Sequence, residues 1–312
     1  MIGNTFQFAW EVKIIEWSQN NLPSFVIEAL KYTSYVGDTL AVVGIMAFFY
    51  LCYDKKVGKK IIFNTILGLL VAGELKNIFK RRRPYFDNKN IKCLKIIEKD
   101  YDLYDVKNQG FSFPSMHSQN TVVETGTLYN CYKKKPILII AIIASLIVGV
   151  SRFVLGCHYP TDVLTGWILG IIFVILSSKL QDRMSDNGFY LLVVLVGLIG
   201  MFFCESSDFY STYGLTFGLI ASMYVDKKYI NFKNTKNIVK IFFRLVLAGI
   251  VFIAISEGMK IPFSEEVLEA DTMFARLYVM LRYSLASFMG LGLTPIVYKY
   301  NLLKINNKKK DS

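Results

Sequence analysis

His117 and His158 are the only histidines in the 312-residue chain. His158 stands in Ser151-Arg152-Phe153-Val154-Leu155-Gly156-Cys157-His158-Tyr159-Pro160-Thr161-Asp162, between the apolar runs Pro136 to Val150 and Val163 to Ser177. An arginine, a histidine and an aspartate in that setting are costly unless water, protein or a ligand satisfies them. Asp162 follows His158 by four residues. That spacing lets a carboxylate hold one ring nitrogen while the other faces a substrate, as a nucleophile and its orienting partner do. The same pair also reads as a structural hydrogen bond.

His117 lies in Phe113-Pro114-Ser115-Met116-His117-Ser118, where a helix begins. Free N–H groups and the positive end of the dipole suit a phosphate there. Ser115 adds a hydroxyl donor or serves as an ordinary N-cap. Lys76 and Arg83 form a third cluster, in Lys76-Asn77-Ile78-Phe79-Lys80-Arg81-Arg82-Arg83-Pro84. Seven residues apart on a continuous helix, they return to nearly one face, so both cations can point into one pocket. The basic run Lys80 to Arg83 also reads as a binder of anionic lipid headgroups.

Lys76, Arg83, Ser115 and Arg152 are thus four groups able to grip phosphoryl oxygens, beside two histidines. Phosphoryl transfer needs anion clamps, a nucleophile and an acid for the leaving oxygen. The sequence offers no carboxylate cluster of the kind magnesium takes. The expectation is therefore metal-free chemistry with no cofactor.

These residues must be positioned by membrane helices. The chain is 53% apolar, with a mean hydropathy of +0.38, and its apolar residues come in blocks long enough to span. About 20 are needed to cross a bilayer. The expected fold is all-α, a polytopic transmembrane bundle of about nine spanning helices. The nine runs are Thr39 to Cys52, Ile61 to Phe79, Ser118 to Tyr132, Ile137 to Phe153, Val163 to Leu180, Phe189 to Cys204, Tyr213 to Val225, Ile238 to Ser256 and Phe274 to Tyr298. The third carries Asn120, Glu124 and Asn130 and belongs inside the bundle. Asn4 to Gln19 reads as an interfacial amphipathic helix, with Trp10 and Trp17 at headgroup level and Glu11, Lys13 and Glu16 as its polar residues. Met1 to Trp10 lacks the pattern of a cleavable signal.

The formal charge of +12 is not a nucleic-acid footprint. Its lysines sit in short segments between apolar runs, such as Asp54 to Lys60, Lys133 to Lys135, Asp226 to Lys240 and the tail at Lys308 to Lys310. With the N-terminus outside and nine crossings, these loops fall in the cytoplasm. The acidic loops Glu205 to Asp208 and Glu257 to Asp271 then fall outside, as the positive-inside rule expects. The three polar clusters share that outer face. Five scattered cysteines without a C-x-x-C pair give no zinc or redox motif. A Cys93–Cys157 disulfide can be drawn on the outer side, but free thiols are the expectation.

The three clusters resemble the motifs of the type 2 phosphatidic acid phosphatases, relatives of the vanadium haloperoxidases: Lys-x6-Arg-Pro, Pro-Ser-Gly-His and Ser-Arg-x5-His-x3-Asp, in that order. The resemblance implies His158 as a nucleophile that forms a phosphohistidine, Asp162 as its orienting residue and His117 as the general acid. Lys76, Arg83, Ser115, Arg152 and the Met116 N–H would bind the phosphoryl oxygens. Met116 stands where the family has glycine. Its N–H survives, but a backbone angle reserved for glycine would be strained there.

The resemblance covers Asn4 to Leu180, giving an expected phosphatase domain over residues 1–180 and a four-helix extension over 181–312. In the extension, Arg276, Arg282 and Glu257 read as an intramembrane ion pair, with a second headgroup-binding site as the alternative. Glu74 and Glu124, on helices carrying site residues, are expected to be structurally paired, with a role in supporting those site residues as the alternative. The leading reading is a phosphatase for a lipid phosphate in a bacterial-type plasma membrane, acting on its outer leaflet. Its substrate would be a polyprenyl diphosphate, phosphatidic acid or phosphatidylglycerol phosphate. A lipid phosphotransferase using the same intermediate, and a non-catalytic lipid-binding or transport protein, remain as alternatives.

Overall fold

The computed structural model describes residues 3–4, 6–33, 39–96 and 102–300. The tail with Lys308 to Lys310 lies outside them. The described residues are helical throughout, with no strand beyond one isolated bridge between Asn4 and Arg81. In chain order the helices are α1 (Ala9–Asn21), α2 (Ser24–Thr33), α3 (Thr39–Phe48), α4 (Lys55–Phe79), α5 (Pro84–Asp87), α6 (Val106–Gln109), α7 (Met116–Tyr132) and α8 (Lys135–Val154). They continue with α9 (Pro160–Arg183), α10 (Asp186–Gly200), α11 (Ser207–Val225), α12 (Ile238–Gly258), α13 (Glu265–Glu269), α14 (Met273–Ser287) and α15 (Thr294–Lys299).

Each of the nine apolar runs is helical. By length and hydropathy, five helices can cross a membrane among the described residues: α4, α8, α9, α12 and the continuous stretch Met273–Lys299. The other four runs are shorter or more polar. The outward faces of α8 and α9 fit lipid. Ile139, Ile140, Ile142, Ile143, Leu146 and Ile147 of α8 are all exposed, and the isoleucines and leucines of α9 between Leu164 and Leu176 repeat the pattern. Bare aliphatic surface on this scale is not left to water.

The chain divides into two compact units, one of residues 1–46 and 59–209, the other of 47–58 and 210–312. In the first, α7 lies inside as its polarity predicts. Its Ser118, Gln119, Asn120, Thr121, Val123, Glu124 and Thr127 are buried. Leu67 of α4, Val123 of α7 and Phe173 of α9 form a shared apolar cluster. Beside it, Asn64 donates to Thr127 Oγ1 at 2.9 Å and Ser178 Oγ at 3.0 Å, and Gln181 returns a bond to Asn64 Oδ1 at 2.8 Å. Buried amides in an apolar bundle need such partners. Glu74 and Glu124 depart from the expected pairing: among the described residues, the buried Oε1 of each has no hydrogen-bond partner.

Three local features place the polar end of this unit. Lys80 takes a left-handed φ of 49°, which stops α4 at Phe79 and turns the chain into extended backbone at Arg81. Pro160 opens α9, where a missing N–H costs nothing. Gly156, at φ 73°, makes the turn between α8 and α9.

In the second unit, a half-buried lysine and a buried arginine fasten loops. Lys55 pairs with Asp226 at 2.7 Å and donates to the Phe232 carbonyl at 2.7 Å. Arg244 donates to the Leu51 carbonyl at 2.6 Å and the Lys233 carbonyl at 3.0 Å, with Tyr298 stacked on its guanidinium. Among the described residues, Arg276 and Glu257, expected to pair with each other or with Arg282, take other partners. Glu257 pairs with Lys260 at 2.8 Å and Arg276 with Asp271, each close in sequence at a helix end. Local partners cost less ordering than a cross-helix pair.

Candidate active site

The site is assembled from the end of α4, the loop that follows it, the start of α7 and the α8–α9 turn. Its frame is Arg81, only 1% exposed. One guanidinium nitrogen donates to Asp162 Oδ1 at 2.6 Å and Thr161 Oγ1 at 2.8 Å, the other to Glu11 Oε2 at 2.7 Å, and Nε donates to the Phe6 carbonyl at 2.9 Å. The rings of Tyr159 and Phe6 lie against its faces, at 3.9 and 4.6 Å. Arg81 therefore joins the N-terminal segment, the first motif and the third. The sequence reading placed Glu11 on a solvated polar face of α1. It is fully buried, on the side of α1 that also buries Ile15 and Ser18, while Trp10 and Trp17 are exposed.

The other members of the basic run have protein partners. Arg82 pairs with Asp87 at 2.5 Å and Lys80 lies 3.8 Å from Glu205. Arg83 donates to the carbonyls of Gln109, at 2.6 Å from Nη2, and of Cys157, at 3.1 Å. Lys76 donates to the Phe111 carbonyl. The two cations of the first motif meet the same loop, but not as successive turns of one helix, because α4 ends between them.

That loop reaches the nucleophile candidate. Ser112 is pinned to the basic run by its N–H to the Arg81 carbonyl (2.8 Å) and its hydroxyl to the Arg82 carbonyl (3.1 Å). Its own carbonyl lies 2.7 Å from Nδ1 of His158. A carbonyl only accepts, so Nδ1 carries the hydrogen and Nε2 the lone pair. Asp162, the orienting residue expected from spacing, stands with Oδ2 3.6 Å from Nδ1, beyond hydrogen-bond range. Its oxygens are engaged elsewhere: Oδ2 accepts from the Tyr159 N–H at 2.7 Å in a capping contact, and Oδ1 belongs to Arg81. Sequence reasoning missed Ser112, Arg81 and Glu11. The Tyr159-Pro160-Thr161-Asp162 pattern, an acid at the third helical position, did carry a signal for the capping contact.

Ser115 caps α7, with Oγ 2.9 Å from Ser118 Oγ, and its N–H donates to the Asp162 carbonyl at 3.0 Å. A Cβ at Gly166 would come within 2.5 Å of the Ser115 carbonyl, so the bare glycine is what lets α9 approach the second motif. Met116 is the first residue of α7 and does not take a left-handed angle. The strain expected from replacing glycine is absent, and its N–H is one that the helix itself leaves unpaired.

Lys76, Arg83, Arg152 and His158 all lie within electrostatic reach of His117. Burial, reinforced by the charges of Arg83, Lys76 and Arg152, holds His158 well below the usual imidazole range. The ring is neutral at pH 7. Among the described residues no three His, Cys, Asp or Glu side chains cluster as metal ligands. A neutral imidazole with a free Nε2, ringed by three cations and beside a second histidine, can attack an anionic electrophile and hold the charge it carries.

A family model described as the PAP2 superfamily matches residues 57–186, and one described as PAP2 superfamily phosphatase, transmembrane extension, matches residues 210–307. The chain is 26% identical over 129 residues to an undecaprenyl-diphosphatase of Sulfolobus acidocaldarius, covering 41% of this chain and 57% of that protein. It is 36% identical over 89 residues to phosphatidylglycerophosphatase B of Bacillus subtilis, covering 26% of this chain and 44% of that protein. The chain thus spans about half the length of these curated relatives. No solved structure matches it significantly.

Proposed function

This chain belongs to the PAP2 superfamily, and from that membership and the site's geometry we propose that it is a multi-pass membrane phosphatase for lipid phosphates, working on the extracytoplasmic face of a bacterial-type plasma membrane. The two relatives are named for undecaprenyl diphosphate and phosphatidylglycerophosphate, both anionic phosphates on long apolar tails. The substrate class is accordingly a phosphomonoester or diphosphate carried by such a tail, and phosphatidic acid belongs to the same class. The outward placement is supported by the basic loops, which the positive-inside rule assigns to the cytoplasm.

The observation that carries the mechanism is the 2.7 Å contact between His158 Nδ1 and the Ser112 carbonyl. It leaves Nε2 to attack phosphorus. The bond from that phosphorus to the leaving oxygen breaks. The leaving oxygen is the lipid's own in a phosphomonoester and the bridging oxygen of the departing lipid monophosphate in a diphosphate. His117 gives that oxygen a proton, and a phosphohistidine remains. Water then attacks phosphorus, His117 takes its proton, and inorganic phosphate leaves. Lys76, Arg83, Arg152, the Ser115 hydroxyl and the Met116 N–H clamp the oxygens. Asp162 acts by anchoring Arg81 and the turn, and its charge 3.6 Å away favours the imidazolium as it forms.

Phosphate release by the purified protein in detergent tests this. His158→Ala should abolish turnover and the acid-labile phosphoryl label on the protein, and excess chelator should change neither in the unmodified chain. Full activity in His158→Ala would falsify the nucleophile assignment, and loss on chelation would remove the metal-free step. A panel of mono- and diphosphate lipids then ranks the substrates.

A further inference from the structure

Two cysteines meet beside the His158 turn. The side chains of Cys93 and Cys157 are near enough to act on one another, and their backbones are stapled together on both sides. Leu94 donates to the Leu155 carbonyl at 3.0 Å, and one amide, Gln19, donates to the Lys92 and Val154 carbonyls, each at 2.9 Å. Gly156 lies so close to the Lys92 carbonyl that no Cβ fits between them. Two cysteines on segments held this close satisfy the main requirement for a disulfide, a short approach of their backbones.

We propose that Cys93 and Cys157 are a redox-active dithiol that closes to a disulfide, tying the loop after α5 to the turn that carries His158. The two thiols differ in the way exchange requires. Cys93 is partly exposed, and Cys157 is buried. The Cys93 S–H, then the charges of Arg152, Arg83 and Lys95, push the Cys157 thiol down to about 6, so it is the nucleophilic partner at pH 7. A small-molecule disulfide reaches Cys93, whose sulfur displaces one thiolate and becomes a mixed disulfide. Cys157 then attacks the Cys93 sulfur and expels the second thiolate. The two cysteines lose two protons and two electrons, and the small disulfide is reduced to two thiols. Nothing in this step depends on the phosphatase reading.

The experiment equilibrates the whole protein in detergent with glutathione buffers from reducing to oxidising. Acid quenching, alkylation after denaturation and peptide mass spectrometry follow. Cys93 and Cys157 should lose alkylation together, at one midpoint, and appear in a single cross-linked peptide, while the buried Cys52 and Cys204 stay alkylated throughout. In Cys157→Ser, Cys93 should stop at the mixed disulfide with glutathione. Alkylation of both residues across the whole series, or glutathione on Cys93 of the unmodified protein with Cys157 still free, would overturn the proposal.

Discussion

Cations serve opposite ends in the two units. In residues 47–58 and 210–312, Lys55 and Arg244 are spent on Asp226 and on loop carbonyls, and the charges close on one another. At the polar end of the first unit, Arg81 alone absorbs both buried carboxylates, Glu11 and Asp162. Lys76, Arg83 and Arg152 gather around two histidines, and they donate to the Phe111 and Gln109 carbonyls and the Ser151 hydroxyl. The same residue types thus fasten loops in one unit and, in the other, gather around two histidines beside a buried arginine that holds both acids.

The sharpest way to break this contrast is to remove one cation from each side. Lys76→Met or Arg152→Met should lower kcat/KM for phosphate release by about 10²- to 10³-fold, the usual cost of one charge-stabilising donor. Arg244→Met should leave the rate per folded molecule within about two-fold, while lowering the melting temperature because bonds to buried carbonyls are lost. Equal kinetic losses at Arg152 and Arg244 would erase the distinction. Next in size is Arg81→Met. It strands Glu11 and Asp162 without their cation and should destabilise the fold by about 3–5 kcal/mol, read as a lowered thermal midpoint. Adding Glu11→Gln and Asp162→Asn should recover part of that loss.

A smaller effect concerns pH. Because burial and three cations oppose protonation of His158, the free enzyme keeps a neutral ring well below 6.5. The acid limb of kcat/KM should therefore fall below that value, measured with a substrate whose own phosphate does not titrate in the range. Arg83→Met removes the largest of the charge contributions, so the limb should move upward in pH. A limb at or above 6.5 in the unmodified enzyme would contradict this. The smallest expected change is Met116→Gly. With Met116 already at an ordinary helical angle, restoring glycine should shift kcat/KM by no more than a few-fold and cost about 1 kcal/mol or less in stability.

The contrast also explains how much could be read from residues alone. Membrane helices, the buried polar α7 and the convergence of three clusters follow from hydropathy blocks and from where charges interrupt them. Lys76 and Arg83 do share a loop, yet the helical spacing that suggested it is not the cause, since Lys80 ends α4 three residues before Arg83. Nothing in Lys80 to Arg83 marks Arg81 as the buried member, because burial there depends on Glu11 and Asp162, both distant in sequence. The His158–Asp162 spacing hid a competition. A carboxylate has two oxygens, and both were already claimed, one by a helix cap and one by Arg81. The carbonyl that holds His158 instead, at Ser112, belongs to the backbone and leaves no trace in side-chain identity.

The Glu11–Arg81–Asp162 link also sets an order of synthesis. Glu11 leaves the ribosome 70 residues ahead of Arg81, and Arg81 leaves 81 ahead of Asp162. Until the first turn of α9 has been made, the arginine lacks one of its two anions and the His158 turn lacks its anchor. This buried cluster is therefore completed late in the synthesis of the first unit. A nascent chain stalled before Thr161 would hold Glu11 and Arg81 without the Asp162 that joins them to the α8–α9 turn.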